Sequence, residues 1–133
     1  MKGVKNMKIH ESGENYLEAL LMLKQEQQLV RSIDIAKKMD FSKASVSRAV
    51  NKLKENGYIV IDEQGFLDFT VKGENLASKI YDRHKFFTEF LIYLGVDEIV
   101  AAEDACKIEH VLSNQSYQAM KNYLLKAKNK LKK

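Results

Sequence analysis

Residues 31–72 decide the fold, and they read RSIDIAKKMDFSKASVSRAVNKLKENGYIVIDEQGFLDFTVK. Apolar residues recur at helical spacing in two short runs, residues 33–39 and 44–53, with only a few residues between them. The runs are preceded by Ser32 and Ser42, and serine is a favoured residue at the start of a helix. The stretch therefore predicts two short helices that are joined by a tight turn.

A β-hairpin is predicted directly after the second helix. Asn56 and Gly57 end the helical pattern, and residues 58–61 and 66–69 then read as two strands. The link between the strands, residues 62–65, contains a glycine, as hairpin turns commonly do. Two short helices followed by a hairpin are the layout of a winged helix-turn-helix, which holds DNA through its second helix.

Working outward from this stretch, the flanking sequence predicts further helices. Residues 12–27 have helical spacing behind Ser12, and after the hairpin three helices are expected, over about 71–94, 98–112 and 114 to the end. The fold class is therefore mainly α with a small β-hairpin. We expect a winged helix-turn-helix DNA-binding domain over residues 1–72, followed by a helical domain over residues 73–133.

Charge is distributed unevenly along the chain. The net charge is +4, but six lysines and no acidic residue lie after Met120, where they fit a solvated helix end. Residues 31–58 carry a local +4, from seven basic and three acidic residues. This local excess in the predicted helix-turn-helix suits the phosphates of double-stranded DNA.

The second helix of this motif would enter the major groove. Its outward and N-terminal positions are the candidates for DNA contact: Ser42, Lys43, Ser45, Ser47, Arg48 and Lys52. Arg48 is the candidate for reading a base, through a bidentate contact to guanine. The others fit phosphate contacts, which position the helix.

Several classes of protein are disfavoured by the composition. No run of 18 apolar residues is present, and no apolar stretch follows the lysines of residues 1–7, so neither a membrane span nor a signal peptide is expected. Cys106 is the single cysteine, which excludes a disulfide within the chain and suits the cytoplasm. The sequence has no glycine-rich phosphate loop and no nucleophile elbow, so we do not expect an enzyme.

A candidate metal-binding pattern lies in the second half of the chain. Cys106, Glu109 and His110 stand at i, i+3 and i+4, so a helix would place a thiolate, a carboxylate and an imidazole on one face. These are three ligand types for a divalent transition metal. The pattern is also compatible with a buried cysteine beside surface polar groups.

At these residues the sequence resembles the diphtheria toxin repressor and manganese transport regulator (DtxR/MntR) family of metal-dependent repressors. The resemblance covers about residues 12–125. It rests on residues 12–18 (SGENYLE), 34–36 (DIA) with 45–47 (SVS), 67–73 (LDFTVKG), 83–84 (RH) and 104–113 (DACKIEHVLS).

The resemblance implies a homodimer formed by the helices after the hairpin, in a metal-binding and dimerisation domain. Carried over residue by residue, the metal positions are Asn15, Glu18, His84, Cys106, Glu109 and His110. Metal would fix the first helix against the dimerisation helices and so set the spacing of the two recognition helices on a palindromic operator. His10 and Glu11 lie near this region, and we interpret them as frayed helix rather than ligands.

This chain departs from the family pattern at several positions. Asn15 offers a neutral amide where the family usually has Asp or Met, whereas Glu18 follows the manganese-type members and Cys106 the iron-type members. Because thiolate is a softer ligand than carboxylate, we expect Fe(II) to be favoured over Mn(II), with Co(II), Ni(II) or Zn(II) possible in vitro. Thr88 and Ala102 stand where iron-type members have ligands of a second site, which argues against a second metal. The length suggests the short form without a C-terminal SH3-like domain.

A second function remains open on the residues alone. A winged-helix regulator could sense a small molecule, or oxidation of Cys106, instead of a metal. That alternative leaves the ligand spacing of Glu109 and His110 unexplained.

Overall fold

The computed structural model describes residues 11–132, which form six helices and a two-stranded antiparallel hairpin. The prediction for His10 lies outside the described residues. The elements, in chain order, are α1 (Glu11–Glu26), α2 (Ser32–Met39), α3 (Lys43–Glu55), β1 (Ile59–Ile61), β2 (Leu67–Phe69), α4 (Val71–Tyr93), α5 (Glu98–Ile108) and α6 (Asn114–Lys132). None of these helices is long and apolar enough to cross a membrane.

The chain divides into two compact units, and the division falls inside α4 between Lys79 and Ile80. The N-terminal unit contains α1 to α3 and the hairpin, in which Ile59 pairs with Phe69 and Ile61 with Leu67. Its core is a single cluster of apolar side chains from α1, α2, α3, both strands and the start of α4. The arrangement of elements is a winged helix-turn-helix, as the sequence predicts.

The turns of this unit are fixed by local hydrogen bonds. The Ser42 hydroxyl accepts from the Ser45 amide at 3.1 Å and caps α3, as expected. Asp40 adopts a left-handed conformation, with φ of 58°, at the end of α2. The hydroxyl of Thr70 accepts from the Gly73 amide at 3.0 Å, at the start of α4.

The C-terminal unit contains the rest of α4 together with α5 and α6. Phe86 and Phe87 of α4 pack with Ala105 of α5 and with Tyr117 and Leu124 of α6. The Asp97 carboxylate accepts from the Ile99 and Val100 amides and caps α5. A serine directly before the last helical run predicts a helix N-cap at Ser113, and its hydroxyl does accept from the Ser116 amide at 3.1 Å and cap α6.

Three local predictions were wrong. Ser12 lies inside α1 rather than before it, and α2 begins at Ser32 itself, with Arg31 as its N-cap residue and the Arg31 amide donating to Asp34. The spacing of α3 also predicts Ala44 on the buried face, but Ala44 is exposed, and that face is formed by Val46, Val50 and Leu53.

The most consequential difference is the end of α5. The apolar pattern extends to Leu112, but the helix ends at Ile108 and residues 109–111 form a turn. Glu109 and His110 are therefore not in a regular helix.

Candidate metal centre and nucleic-acid interface

The carboxylate of Glu109 is the centre of a polar cluster in the C-terminal unit. Glu109 is 1% exposed, so its carboxylate is removed from water. One of its oxygens lies 2.9 Å from Nδ1 of His84, and the other lies 3.3 Å from Nε2 of His110. A carboxylate thus lies between two imidazoles in a dry environment, where such groups need strong partners.

Cys106 belongs to the same cluster. Its sulfur lies within 4.8 Å of a Glu109 carboxylate oxygen. Although α5 ends at Ile108, Glu109 keeps helical backbone angles (φ −58°, ψ −22°) as the C-cap residue. The relative direction of Cys106 and Glu109 is therefore still close to that of a helix, which is why the i, i+3 spacing brought them together.

Helix α4 supplies the remaining donor, His84, from a position 25 residues before Glu109. The hydroxyl of Thr88 donates to the His84 carbonyl at 2.8 Å, within the same helix. The structure brings together four of the six predicted metal positions in one unit: His84, Cys106, Glu109 and His110.

The other two predicted positions, Asn15 and Glu18, lie on α1 in the N-terminal unit. They are three residues apart and thus share a face of that helix. Asn15 is half-buried, whereas Glu18 is 6% exposed. Acidic side chains on a protein surface are normally exposed to solvent, so burial of Glu18 to this degree is unusual.

The donor set of the C-terminal cluster fits a divalent transition metal. Two imidazoles, a carboxylate and a thiol provide nitrogen, oxygen and sulfur ligands around the buried Glu109 carboxylate, with His84 and Cys106 half-buried. The cluster contains no lysine or arginine side chain that ion-pairs with the Glu109 carboxylate among the described residues. A cation would therefore balance its charge.

Sequence reasoning missed Arg83, which is buried beside this cluster. Its Nη1 donates to the backbone carbonyls of Glu109 at 3.1 Å and Leu112 at 2.8 Å. The pair Arg83–His84 is a visible sequence signal, but nothing in the spacing indicates that an arginine on α4 holds a turn 26 residues later.

The predicted DNA-contacting residues lie on or next to α3. Ser42, Lys43, Ser47, Arg48 and Lys52 are exposed, and Ser45 is half-buried. The hydroxyl of Ser45 lies 3.0 Å from that of Ser42 and 3.5 Å from Nη2 of Arg48. The two serines therefore first serve the start of the helix, and only their remaining hydrogen-bonding capacity is available to DNA.

A cleft of about 280 Å³ lies beside the start of α3. It is lined by Ser32 and Ile33 of α2 and by Lys43 and Ser47 of α3. Two hydroxyls and one lysine in a concave surface suit an anionic group.

A winged helix with a basic recognition helix, together with a buried set of metal-type donors, defines a DNA-binding protein with a candidate metal centre. Comparisons with known proteins agree. Residues 8–66 match the family model of the iron-dependent repressor N-terminal DNA-binding domain, and residues 70–130 match that of the iron-dependent repressor metal-binding and dimerisation domain.

Individual relatives cover most of the chain. An HTH-type transcriptional regulator of Methanocaldococcus jannaschii is 34% identical over 123 residues, which are 91% of this chain and 98% of the relative. The regulator MntR of Bacillus subtilis is 34% identical over 102 residues, which are 77% of this chain and 72% of the relative.

Solved structures show the same fold. The manganese regulator SloR has a TM-score of 0.76 at 29% identity, with 84% of this chain and 53% of that chain covered. The metal-dependent transcriptional regulator MtsR has a TM-score of 0.78 at 26% identity, with the same coverage. This chain spans about half of the length of these two solved chains.

The chain therefore belongs to the iron-dependent repressor (DtxR/MntR) family of metal-dependent transcriptional regulators. The resemblance inferred from the sequence is confirmed, and so is the fold class of a winged-helix DNA-binding domain with a helical dimerisation domain.

Proposed function

We propose that this protein represses metal-ion uptake genes and binds its operator when a divalent transition metal is held by His84, Cys106, Glu109 and His110. The observation that carries the proposal is the buried Glu109 carboxylate, whose two oxygens lie 2.9 Å from His84 and 3.3 Å from His110. Asn15 and Glu18 of α1 are proposed as further ligands from the N-terminal unit.

The side chains of the cluster would hold the metal through one donor atom each. Glu109 supplies negative charge, the two histidines supply neutral nitrogen, and Cys106 supplies sulfur. The metal, when bound, supplies the positive charge that the cluster lacks.

The proposed metal is Fe(II) in preference to Mn(II), with Co(II), Ni(II) or Zn(II) also binding in vitro. The sulfur of Cys106 supports this order, because soft donors select against manganese. SloR is named as a manganese regulator, and ScaR, which is named as a manganese-activated repressor, has also been solved with bound Zn²⁺. The metal found in a relative therefore does not decide the order proposed for this chain.

We further propose that the protein acts as a homodimer on a palindromic operator. The C-terminal unit exposes apolar side chains around the end of α4 and the start of α5, and a second copy would cover them: Ile92, Tyr93, Leu94, Ile99 and Val100. Ser42, Lys43, Ser45, Ser47, Arg48 and Lys52 are the proposed DNA contacts, with Arg48 as the base-reading residue.

Binding to the DNA upstream of the protein's own gene tests this function. Retention is measured with chelator and then with Mn(II), anaerobic Fe(II), Co(II) or Zn(II) added singly. We expect tight binding only with metal, and no metal response in Glu109→Gln. Glu103→Gln is the matched control, because Glu103 is an exposed glutamate on α5, the helix that directly precedes Glu109.

Equal retention with chelator and with every metal would exclude the metal switch. The alternative of a regulator that senses a small molecule or oxidation of Cys106 would then be favoured, and oxidised and reduced protein should differ in DNA affinity.

A further inference from the structure

Arg83 is a buried cation next to the proposed metal ligands. It is 9% exposed, and it forms no ion pair with a carboxylate among the described residues. A buried guanidinium without an acidic partner is costly unless other groups compensate its charge. The groups that surround Arg83 must therefore compensate its charge.

The guanidinium of Arg83 lies against the C-terminal end of α5. The carbonyls at the end of a helix lack partners within the helix and carry partial negative charge. Nη1 of Arg83 donates to the Glu109 carbonyl at 3.1 Å and to the Leu112 carbonyl at 2.8 Å. These two bonds span the turn that carries Glu109 and His110, and they connect it to α4.

The ring of Tyr117 holds the guanidinium from another side. The guanidinium carbon lies 5.0 Å from the ring centroid, and Tyr117 belongs to the apolar cluster of the C-terminal unit. Arg83 is therefore anchored in a packed core rather than extended towards solvent.

Two adjacent residues of α4 thus bond to Glu109, one to its side chain and one to its backbone. His84 contacts the carboxylate at 2.9 Å, and Arg83 contacts the carbonyl of the same residue at 3.1 Å. Because Arg83 and His84 are adjacent in one helix, the two contacts connect Glu109 to the same turn of α4.

We propose that Arg83 is a positioning residue of the metal centre, which fixes the turn of Glu109 and His110 against His84 before metal binds. The proposal rests on the function proposed above. Residues that orient metal ligands commonly contribute 10- to 100-fold in metal affinity. Without Arg83, metal binding would first have to order the turn, so affinity falls while the recognition helix is unchanged.

Cobalt titration of the purified full chain tests the proposal, because absorption from Co(II) bound to a thiolate reports Cys106 directly. We expect Arg83→Met to lower Co(II) affinity by about 10- to 100-fold. At saturating Co(II) its operator affinity should return to that of wild type. Lys85→Met is the control, because Lys85 is an exposed cation on α4 whose charge lies near Asp82 at 3.9 Å.

Arg83→Lys tests whether the bonds of the guanidinium, rather than the mere presence of a buried positive charge, are needed. Lysine keeps the cation but lacks the planar fork, so we expect its Co(II) affinity to lie between those of wild type and Arg83→Met, at least about threefold below wild type. If Arg83→Met does not fold, as judged by circular dichroism, the lysine variant decides: wild-type affinity would overturn the proposal.

A folded Arg83→Met with wild-type Co(II) affinity would also overturn it, while leaving the proposed function intact. Failure of the wild-type chain to bind Co(II) with a thiolate signal would instead contradict the proposed metal centre itself. The two failures are therefore distinguishable.

Discussion

Cys106 is the only soft donor in the proposed cluster of His84, Cys106, Glu109 and His110. Its sulfur lies within 4.8 Å of the Glu109 carboxylate, which in turn contacts the imidazoles of His84 and His110. The histidines and the glutamate bind most divalent metals, so they discriminate weakly. Preference between Fe(II) and Mn(II) is therefore expected to depend on this one side chain.

Cys106→Asp should move the metal preference towards manganese. An aspartate replaces a soft donor by a hard one, so we expect the ratio of Mn(II) to Co(II) affinity to rise by about tenfold, or about 1.4 kcal/mol. Isothermal titration with each metal measures this ratio. Cys106→Ser is the control that removes the sulfur without adding a carboxylate, and an unchanged ratio in both variants would show that Cys106 does not bind the metal.

Gly73 is a residue whose role is steric. A Cβ atom there would lie 1.8 Å from the carbonyl oxygen of Tyr58, an overlap with backbone that no side-chain rotation relieves. The close approach brings the start of α4 against the residue before β1. The glycine is part of the N-terminal unit's packing, although it lies in a helix, where glycine is normally unfavourable.

Gly73→Ala should therefore destabilise the protein. In an exposed helix position the change to alanine stabilises, but here we expect a loss of about 1–3 kcal/mol, as for overpacked cores. Urea unfolding followed by circular dichroism measures the change. Asn75→Ala, at an exposed position of the same helix, is the control and should stabilise slightly. A Gly73→Ala protein as stable as wild type would contradict the close approach.

At the level of elements, the hairpin and α3 carry opposite charge. Residues 59–71 contain three acidic residues and no lysine or arginine, whereas the exposed face of α3 carries Lys43, Arg48 and Lys52. At the tip, Asp62 accepts from the Gln64 and Phe66 amides and so stabilises the turn. Glu63 is exposed there and makes no such contact. The β1–β2 hairpin, which is the wing of the winged helix-turn-helix, is therefore expected to add little to phosphate binding.

Glu63→Lys should strengthen DNA binding. If the new lysine reaches a phosphate, the slope of log affinity against log salt should increase by about 0.9. Fluorescence anisotropy over a range of salt concentrations measures this slope, and Glu63→Gln, which only removes the negative charge, is the control. Identical slopes in wild type and Glu63→Lys would show that the wing tip lies away from DNA.

Helix α3 should behave differently, because its basic residues face solvent directly. We expect Arg48→Ala to weaken operator binding by about 1–3 kcal/mol and to relax sequence preference, with or without metal. The matched control is Lys54→Ala, which removes an exposed positive charge from the last turn of the same helix. Normal operator binding by Arg48→Ala would show that another residue reads the bases.

Local patterns predicted most of the elements but not their tertiary contacts. The helical periodicity and the serines at residues 42 and 113 identified α3 and α6, because these signals are local. The end of α5 could not be found in this way, since Val111 and Leu112 continue the apolar pattern while the turn is held by Arg83 from another helix. The family resemblance pointed to the four donor residues that the structure brings together, but it did not indicate that Arg83 holds the turn on which two of them lie.

At the scale of the whole molecule, metal can regulate DNA binding only if it favours one arrangement of the protein over another. The cluster of His84, Cys106, Glu109 and His110 belongs entirely to the C-terminal unit, while the residues proposed to contact DNA belong to the N-terminal unit. A metal held by the cluster alone would leave DNA affinity unchanged. Glu18 is the proposed ligand that makes the N-terminal unit respond.

Glu18→Gln should therefore separate metal binding from activation. In wild type we expect metal to raise operator affinity by about 5- to 150-fold, the usual range of coupling between two sites, and in Glu18→Gln by less than about threefold. Co(II) should still bind with a thiolate absorption band, because Cys106 and the histidines remain. Glu26→Gln, an exposed position near the end of α1, is the control. If metal activates Glu18→Gln as strongly as wild type, another residue couples metal binding to DNA binding. If Glu18→Gln loses both Co(II) binding and activation, Glu18 is required to hold the metal, and this variant cannot separate binding from activation.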